Sequence, residues 1–362
     1  MQTTVSLSFP PRGERSVVQQ LDMTYRTLGR TRIKVSVVSL GTGGDSRLGQ
    51  ATHKDRRESE RVVRRALDLG INLIDTAPTY VDAEEIVGDA LQDMPRAEYL
   101  IATKATIVSR GALAAPEEIV ATFEQSLRRL RTDYIDGMMF HNVGPDDYDA
   151  VVEQLYPTAL RLKEQGKVRF LGLTERQDGR GQSAGSLPNR AAGSPSGPRQ
   201  SNRMRPGGDP AHDMAARALQ DDLWDVLGIK YGILNQVAER EILPTAAARG
   251  VGVLNMSAVR VKLVQPDQLE ALIADWKTRG LVEADALPEH DPLGFLVHGE
   301  VSSVIVAGYK FAIAPEAVSS VVVGTGNAHH LEENIATILG TPLPAKDSAR
   351  LRQLFGHIIE GV

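Results

Sequence analysis

The chain alternates strand-like and helix-like segments along most of its length, and this alternation limits its possible folds more than any other feature. Short apolar runs over residues 71–74, 99–103 and 136–140 are typical of buried strands. Segments with helical periodicity separate these runs. Strands that alternate with helices indicate βαβ units, in which the strands lie parallel.

Eight strand–helix units can be counted in this way. The other inner strands are expected at residues 37–40, 168–173, 225–230, 251–254 and 319–323. Helices are expected at residues 55–69, 83–91, 116–130, 148–165, 211–222, 239–249, 266–279 and 328–338. A last helix at residues 345–359 would pack on the outside or close the bottom of the barrel, and residues 25–36 would form an N-terminal hairpin. The pattern predicts an α/β fold, a (β/α)8 TIM barrel in a single domain, because such barrels routinely hold about 250 residues or more.

Two segments fall outside this rhythm. Residues 176–210, after the fifth strand, are rich in Gly, Ser, Pro, Arg, Asn and Gln, with only Leu187 and Met204 as large apolar side chains. Such a segment cannot bury enough apolar surface to offset its ordering entropy, so we interpret it as a disordered low-complexity insertion in the domain formed by residues 23–362. Residues 1–22 are polar and predict a flexible tail, with Met1 and Met23 as alternative starts.

The composition excludes several classes of function. Hydrophobic residues make up 42% and charged residues 24%, as in a globular protein with a large core. The net charge of −5 gives no reason to expect nucleic acid as a partner, and the arginines of the insertion lack the aromatic residues of a stacking platform. Without cysteine there can be no disulfide or thiolate metal site. No apolar run reaches the ~20 residues of a membrane span, and residues 1–22 lack a signal-peptide core, so a cytoplasmic protein is expected.

Residues that can move or orient a proton stand where three of the predicted strands end. Asp75 follows one apolar run, with Tyr80 a little further on, and Lys104 and His141 follow the next two. Singly, each has an ordinary explanation, as a turn residue, a solvated strand end or a packed ring. In a (β/α)8 barrel, however, the C-terminal strand ends open onto one face, where active sites lie. An acid, a phenol, an amine and an imidazole in one pocket predict an enzyme.

This arrangement resembles the aldo-keto reductase family. The resemblance rests on the run from Asp75 to Tyr80, followed by Glu84, Gly88, Lys104 and His141, and covers residues 24–339 apart from the insertion. It implies a (β/α)8 barrel and hydride transfer between a nicotinamide cofactor and a carbonyl. It also implies that Tyr80 is the general acid, that Lys104 and Asp75 tune it, and that His141 orients the substrate.

Elementary chemistry supports these roles. A free tyrosine has a pKa of ~10, which suits proton transfer at neutral pH poorly. A neighbouring ammonium such as that of Lys104 favours the phenolate, and the carboxylate of Asp75 would hold the ammonium in place. Negative charge develops on the carbonyl oxygen as hydride arrives, and Tyr80 and His141 would stabilise it. In the oxidative direction the phenolate would accept the alcohol proton.

The last barrel unit predicts a phosphate site. Gly324, Thr325 and Gly326 precede a helix whose N–H groups and positive end favour an anion, although they do not form a Rossmann fingerprint. By the resemblance, residues 324–334 contact the cofactor, with Glu333 and Asn334 near the adenine. His330 and Gly324 stand where many NADPH-using members carry arginine and lysine, which weakens the case for NADP(H) and leaves NAD(H) possible; the cofactor is expected to be NADP(H) or NAD(H). No metal site is expected, because adjacent histidines on a helix point apart.

Further cofactor contacts are implied at other strand ends. They are Gly41, Thr42, Thr174, Gln236, Met256 and Ser257. Gln236, with Asn235, resembles a sixth-strand pair that holds the nicotinamide amide, although a buried amide bonded to the backbone is equally compatible. Thr174 and Glu175 stand where many members have Ser-Asn, so Thr174 would keep a hydrogen bond while Glu175 departs from the pattern. Met256 would cover a nicotinamide face, and Ser257 would reach phosphate.

The sequence therefore predicts an NAD(P)(H)-dependent oxidoreductase that acts on an aldehyde, a ketone or a sugar. One alternative is a cofactor-binding barrel that acts as a sensor or regulator without turnover; another is a non-functional product, if the insertion disrupts the nicotinamide pocket. The spaced set of Asp75, Tyr80, Lys104 and His141 favours the enzyme. Residues 47–53, 108–115 and 283–316 are expected to form the specificity loops, from which neither the substrate nor the oligomeric state can be read.

Overall fold

The computed structural model describes residues 22–44, 46–52, 54–109, 111–176, 209–259 and 262–360. Its centre is a closed barrel of eight parallel strands, in which each strand pairs with its neighbours in the chain and the last pairs with the first. The barrel strands are β3 (Val38–Gly41), β4 (Leu73–Asp75), β5 (Leu100–Thr106), β8 (Ile135–Val143), β9 (Val168–Glu175), β10 (Val226–Ile229), β11 (Gly252–Asn255) and β12 (Ser320–Gly324). The predicted (β/α)8 barrel is confirmed.

Helices surround the barrel. They are α1 (Arg56–Asp68), α2 (Ala83–Leu91), α3 (Pro116–Leu130), α4 (Tyr148–Ala150), α5 (Tyr156–Glu164), α6 (Asp213–Asp221), α7 (Val237–Arg249), α8 (Pro266–Thr278), α9 (Val304–Ile313), α10 (Ala328–Leu339) and α11 (Ala345–Phe355), with a π-helical stretch over Val151–Leu155. Helix α1 shows why such segments begin where they do. The Asp55 side chain accepts from the backbone of the first turn while Glu58 accepts from the N–H of Asp55, and together they satisfy donors that a helix start leaves open.

The predicted N-terminal hairpin is also confirmed and closes one end of the barrel. Its strands, β1 (Tyr25–Thr27) and β2 (Lys34–Ser36), pair antiparallel. Leu28 and Val35 pack in an apolar cluster with residues of six barrel strands: Leu73, Leu100, Ala102, Met139, Phe170, Val226 and Leu254. A Cβ atom at Gly252 would lie 2.6 Å from a methyl carbon of Leu28, so the packing of the hairpin against β11 requires glycine there. The hairpin thus covers the N-terminal ends of these strands with apolar side chains and leaves their C-terminal ends open.

Two expected loops contain regular structure. The segment over residues 283–316 holds α9, whose residues 307–313 are buried, and the segment over residues 108–115 holds a short hairpin of β6 (Val108–Ser109) and β7 (Ala112–Leu113). Helix α9 was missed because its apolar residues run continuously and show no helical period.

The final helix α11 packs against the start of α7, where the Gln236 amide donates to the carbonyl of Leu351. Most of the expected tail and insertion, residues 1–21 and 177–208, lies outside the described residues. No helix in the described part of the chain is long and apolar enough to cross a membrane.

Candidate active site

The four predicted catalytic residues meet at the C-terminal end of the barrel. Asp75 is the last residue of β4, and Tyr80 lies in the loop that leads to α2. Lys104 and His141 do not end their strands as expected: β5 continues to Thr106 and β8 to Val143, and Thr106 pairs with His141. The apolar runs stop at these two residues, but backbone pairing does not depend on apolar side chains and extends past them.

Lys104 is the buried centre of this group. Its ammonium nitrogen lies 2.6 Å from an Asp75 carboxylate oxygen and donates to the Thr76 carbonyl at 2.9 Å. The same nitrogen lies 4.9 Å from the centre of the Tyr80 ring. Only 1% of the Lys104 side chain and 9% of the Asp75 side chain are exposed, so solvent screens this ion pair little.

The electrostatics of the group keep Lys104 charged and His141 neutral. Burial acts to lower the pKa of Lys104, but the charge of Asp75 and the interaction with Tyr80 outweigh it, so the pKa lies above its ordinary value. Burial, together with the nearby Lys104 charge, lowers the pKa of His141 to about 3. The imidazole is therefore neutral at physiological pH and can donate one hydrogen bond. Its ring meets that of Tyr80 edge to face, with centroids 5.9 Å apart and planes at 83°.

Gly43 lies against the ring of Tyr80. A Cβ atom at Gly43 would be 2.5 Å from two carbons of the tyrosine ring, so any larger residue would displace the phenol. No role for Gly43 follows from the sequence alone. Its role depends on a contact with a residue far along the chain, which a local pattern does not reveal.

The predicted phosphate-binding residues lie where the barrel closes. Gly324 at the end of β12 pairs with Gly41 at the end of β3. The side chain of Asn327 caps α10 by accepting from the N–H of His329. A Cβ atom at Gly326 would collide with the backbone of Gly49, so the turn is held close to the loop over residues 47–52.

Residues further along α10 lie at the surface. His330 and Glu333 are exposed, Asn334 is partly buried, and Glu333 lies 3.4 Å from His329. The structure thus brings the glycine turn and the start of α10 together at one edge of the barrel mouth. Among the described residues no group of three or more His, Asp and Glu side chains could hold a metal ion.

Ser257 is the clearest sign of a ligand at the cofactor side. It follows β11, is 9% exposed, and its buried hydroxyl oxygen has no hydrogen-bond partner among the described residues. A buried hydroxyl without a partner is costly, and a phosphate oxygen would satisfy it. The neighbouring Met256 is partly exposed, and its sulfur would lie 2.9 Å from a Cβ atom at Gly228. The donors present fit a dinucleotide cofactor.

Gln236, in contrast, does not point to the site. The resemblance matched it to a residue at the end of the sixth strand, but β10 ends at Ile229 and Gln236 immediately precedes α7. Its amide nitrogen donates to the carbonyls of Ile233 and Leu351 at 2.8 and 3.0 Å. The amide nitrogen is thus bonded to the backbone and fastens α11 to the start of α7, whereas the buried Oε1 atom of Gln236 has no hydrogen-bond partner among the described residues.

Two predicted threonines are also hydrogen-bonded inside the protein. The Thr42 hydroxyl, fully buried, donates to the Thr76 hydroxyl at 2.9 Å. The Thr174 hydroxyl, near the end of β9, accepts from the backbone N–H of Asn142 at 2.9 Å.

A second buried ionisable group, which the sequence reasoning missed, lies at the ends of β9 and β10. The two Glu175 carboxylate oxygens meet the His212 ring nitrogen at 2.5 Å and the N–H of Lys230 at 3.0 Å. Burial alone would lower the pKa of His212, but the charges of Glu175 and Asp209 outweigh burial and the charge of Lys230, and raise it. Only the departure at Glu175 gave a signal in the sequence; its partners lie beyond the insertion.

Comparison with known proteins shows the family of the chain. The Aldo/keto reductase family model matches residues 39–195 and 210–355. The chain belongs to the aldo/keto reductase family. It is 26% identical to L-galactose dehydrogenase of Arabidopsis thaliana over 86% of this chain and 87% of that protein. It is 30% identical to the NADH-specific methylglyoxal reductase of Escherichia coli over 62% and 64% of the two chains.

A solved structure shows the same fold. The holo form of an aldo-keto reductase from Bacillus halodurans superposes with a TM-score of 0.64 at 22% identity, over 93% of this chain and 98% of that one. As an aldo-keto reductase, the protein is an NAD(P)-dependent oxidoreductase, and its cofactor is NADP(H) or NAD(H).

Proposed function

We propose that this aldo-keto reductase transfers hydride between its nicotinamide cofactor and an aldehyde, a ketone or a sugar, with Tyr80 as the general acid and base. The observation that carries the proposal is the buried Lys104 ammonium, which lies 2.6 Å from Asp75 and 4.9 Å from the centre of the Tyr80 ring. A phenol beside a desolvated ammonium is prepared to release a proton, because the cation stabilises the phenolate that remains.

The side chains divide the proton chemistry between them. When bound, the nicotinamide supplies or accepts the hydride. In carbonyl reduction, Tyr80 donates its proton to the developing alkoxide, and Lys104 stabilises the phenolate. Asp75 keeps Lys104 charged and fixed. Neutral His141, whose ring lies edge-on to Tyr80, donates a hydrogen bond to the same oxygen and so orients the substrate. In alcohol oxidation the phenolate of Tyr80 accepts the proton.

The cofactor would lie across the barrel mouth from this group toward α10. Ser257 would donate to a phosphate oxygen, while the turn from Gly324 to Gly326 and the first turn of α10 would offer backbone N–H groups. Gly41 would give the close approach that the cofactor needs beside Gly324. Met256 would cover one face of the nicotinamide, and the exposed His330 and Glu333 and the partly buried Asn334 would contact the adenosine end.

The relatives narrow the substrate class. One is named for an aldose and another for a small dicarbonyl, and both substrates present a carbonyl or its hydrated or cyclic form beside another oxygen group. We infer that this protein takes a small, oxygen-rich carbonyl compound or the corresponding sugar. The neutral imidazole of His141 suits such a substrate because it donates a hydrogen bond without a charge.

A panel assay tests the proposal. Absorbance at 340 nm would be followed with NADH and NADPH against methylglyoxal and simple aldehydes, and with NAD+ and NADP+ against L-galactose and other aldoses. Tyr80→Phe should abolish turnover and leave cofactor binding unchanged. Tyr134→Phe is the matched control, since Tyr134 is also partly exposed beside a cation, Arg96, but immediately precedes β8 at the opposite end of the barrel. Cofactor binding without turnover across the panel would refute the enzymatic proposal and favour a sensor.

A further inference from the structure

The strand that carries His141 is irregular at that residue. Along β8 and β9, Phe140 pairs with Leu173 and Val143 with Glu175, so β8 uses one more residue than β9 over the same interval. Phe140 and Val143 both pack in the large core between strands and helices, whereas strict alternation would place them on opposite faces. The extra residue makes a β-bulge, a device that redirects a side chain and is common beside active sites.

The backbone of the bulge adopts an unfavourable conformation that side-chain hydrogen bonds stabilise. Asn142 has φ of +57°, the left-handed region, which costs free energy for residues other than glycine, although asparagine tolerates it better than most. The N–H of Asn142 is turned out of the regular ladder and donates to the Thr174 hydroxyl at 2.9 Å. The carbonyl of Phe140, 3.5 Å from the same hydroxyl, is the acceptor for its proton. One side chain therefore bridges both sides of His141.

A second set of contacts, made by Arg176, holds the end of β8 and the residues that follow it. The N–H of Arg176 donates to the carbonyl of Val143 at 2.9 Å, and its guanidinium binds Asp146 and Asp147. Gly144 permits this contact, because a Cβ atom there would collide with the guanidinium. The segment after His141 is thus fixed on both sides of the bulge by residues at the end of β9.

We propose that Thr174 is a positioning residue for His141: its hydroxyl holds the bulged backbone that sets the imidazole edge-on to Tyr80. The inference rests on the proposed function, in which His141 orients the substrate. Thr174 acts through the strand and touches no reacting atom. The side chain best suited to the task is a threonine or serine, because the bridge needs one acceptor for Asn142 and one donor for Phe140.

The variants Thr174→Val and Thr174→Ser distinguish positioning of His141 from direct contact with the cofactor. Valine keeps the shape of threonine and leaves the Asn142 N–H without its acceptor, so kcat/KM for the carbonyl substrate should fall about tenfold while the cofactor Kd changes less than about twofold. Serine keeps the hydroxyl and should restore most of kcat/KM. Thr158→Val, which removes another buried threonine hydroxyl that binds Arg161 on α5, should leave the kinetics unchanged.

Two further measurements test whether Thr174 acts through His141. In a His141→Gln background, Thr174→Val should have little additional effect on kcat/KM, because the imidazole that Thr174 positions is already absent. The ring resonances of His141, assigned by their absence in His141→Gln, should shift in Thr174→Val without any substrate present. A weakened cofactor Kd with unchanged His141 resonances would overturn the inference and make Thr174 a cofactor contact. Because the resonances need no turnover, they test the inference even if Tyr80→Phe proves fully active and the proposed function fails.

Discussion

Gly43→Ala is the sharpest probe of how closely the phenol must be placed. The new methyl group would start 2.5 Å from the Cε2 and Cζ atoms of Tyr80. Carbon atoms in contact prefer separations of about 3.5–4.0 Å, so the ring must retreat by about 1 Å. Gly43 does not lie in the left-handed region, and alanine therefore adds no backbone strain there.

The consequence for activity should far exceed the consequence for stability. A displacement of about 1 Å at a reacting group can cost roughly 100-fold in rate, and Tyr80 would move away from the substrate oxygen by this amount. Overpacking ordinarily costs about 1–3 kcal/mol of unfolding free energy, and the partly exposed ring of Tyr80 has room to relax, which favours the lower end. We therefore expect kcat/KM to fall about 100-fold and the protein to stay folded.

The assay compares steady-state kinetics with urea unfolding for Gly43→Ala, Tyr80→Phe and the double variant. If alanine acts by displacing the phenol, it should change little in the Tyr80→Phe background, where the reactive hydroxyl is already absent. Wild-type kcat/KM in a stably folded Gly43→Ala protein would refute the reasoning, because the ring could then move by this distance without consequence.

The remaining predictions concern the buried charges. Lys104→Met should lower the unfolding free energy by about 3–5 kcal/mol in urea titrations, since it leaves the buried carboxylate of Asp75 without its cation, and Asp75→Asn in the same chain should restore part of the loss. The folded pKa of His141 is about 3, below its unfolded value of about 6.5, so acidification through this window should destabilise wild type more than His141→Gln in pH-dependent unfolding. The effect of pH at His212 has the opposite direction, because Glu175 raises the folded pKa of His212 above its unfolded value of about 6.5. Wild type should therefore be more stable than His212→Gln below about pH 6.5, and this difference in unfolding free energy should disappear as the pH rises through the raised pKa.

The sequence predicts the barrel well because its signals are local. Every inner strand is a short apolar run, and most helices have both a periodic apolar face and a recognisable start, as at Asp55 for α1 and Pro116 for α3. Where the local signal is absent, the prediction fails: α9 is buried almost all round and carries no polar face. Its helical state depends on burial by neighbours, which is a tertiary property.

The meeting of the candidate catalytic residues could be predicted for a related reason. Asp75, Lys104 and His141 each lie at or near the C-terminal end of a parallel strand, and the topology of a barrel alone brings such positions together. Their exact contacts could not be predicted. The 2.6 Å ion pair of Lys104 with Asp75 and the edge-on placement of His141 depend on side-chain rotamers and on a bulge that leaves no mark in residue type.

Gln236 shows the limit of matching by spacing. Its place after the sixth strand made a role at the nicotinamide plausible, but β10 ends at Ile229, and a turn in which Gly232 and Asn235 form a bridge follows before α7. This turn carries the amide to the outer layer, where α11 offers the carbonyl of Leu351. A difference of a few residues in the end of a strand is enough to move a side chain from the barrel mouth to a helix contact.

For Glu175, the sequence showed a departure from the family pattern but did not show what the residue contacts. Both its carboxylate oxygens are engaged, one by His212 and one by the N–H of Lys230, so it is committed to fastening α6 and β10 to the end of β9. A carboxylate held in this way cannot also turn toward a nicotinamide. In the proposed function, polar recognition of the cofactor would therefore come mainly from the opposite edge of the barrel. There the Ser257 hydroxyl has no partner in the described part of the chain, and the Gly324 turn leads into a helix start. Binding in this protein should accordingly depend more on the phosphates of the cofactor than on the amide of its nicotinamide.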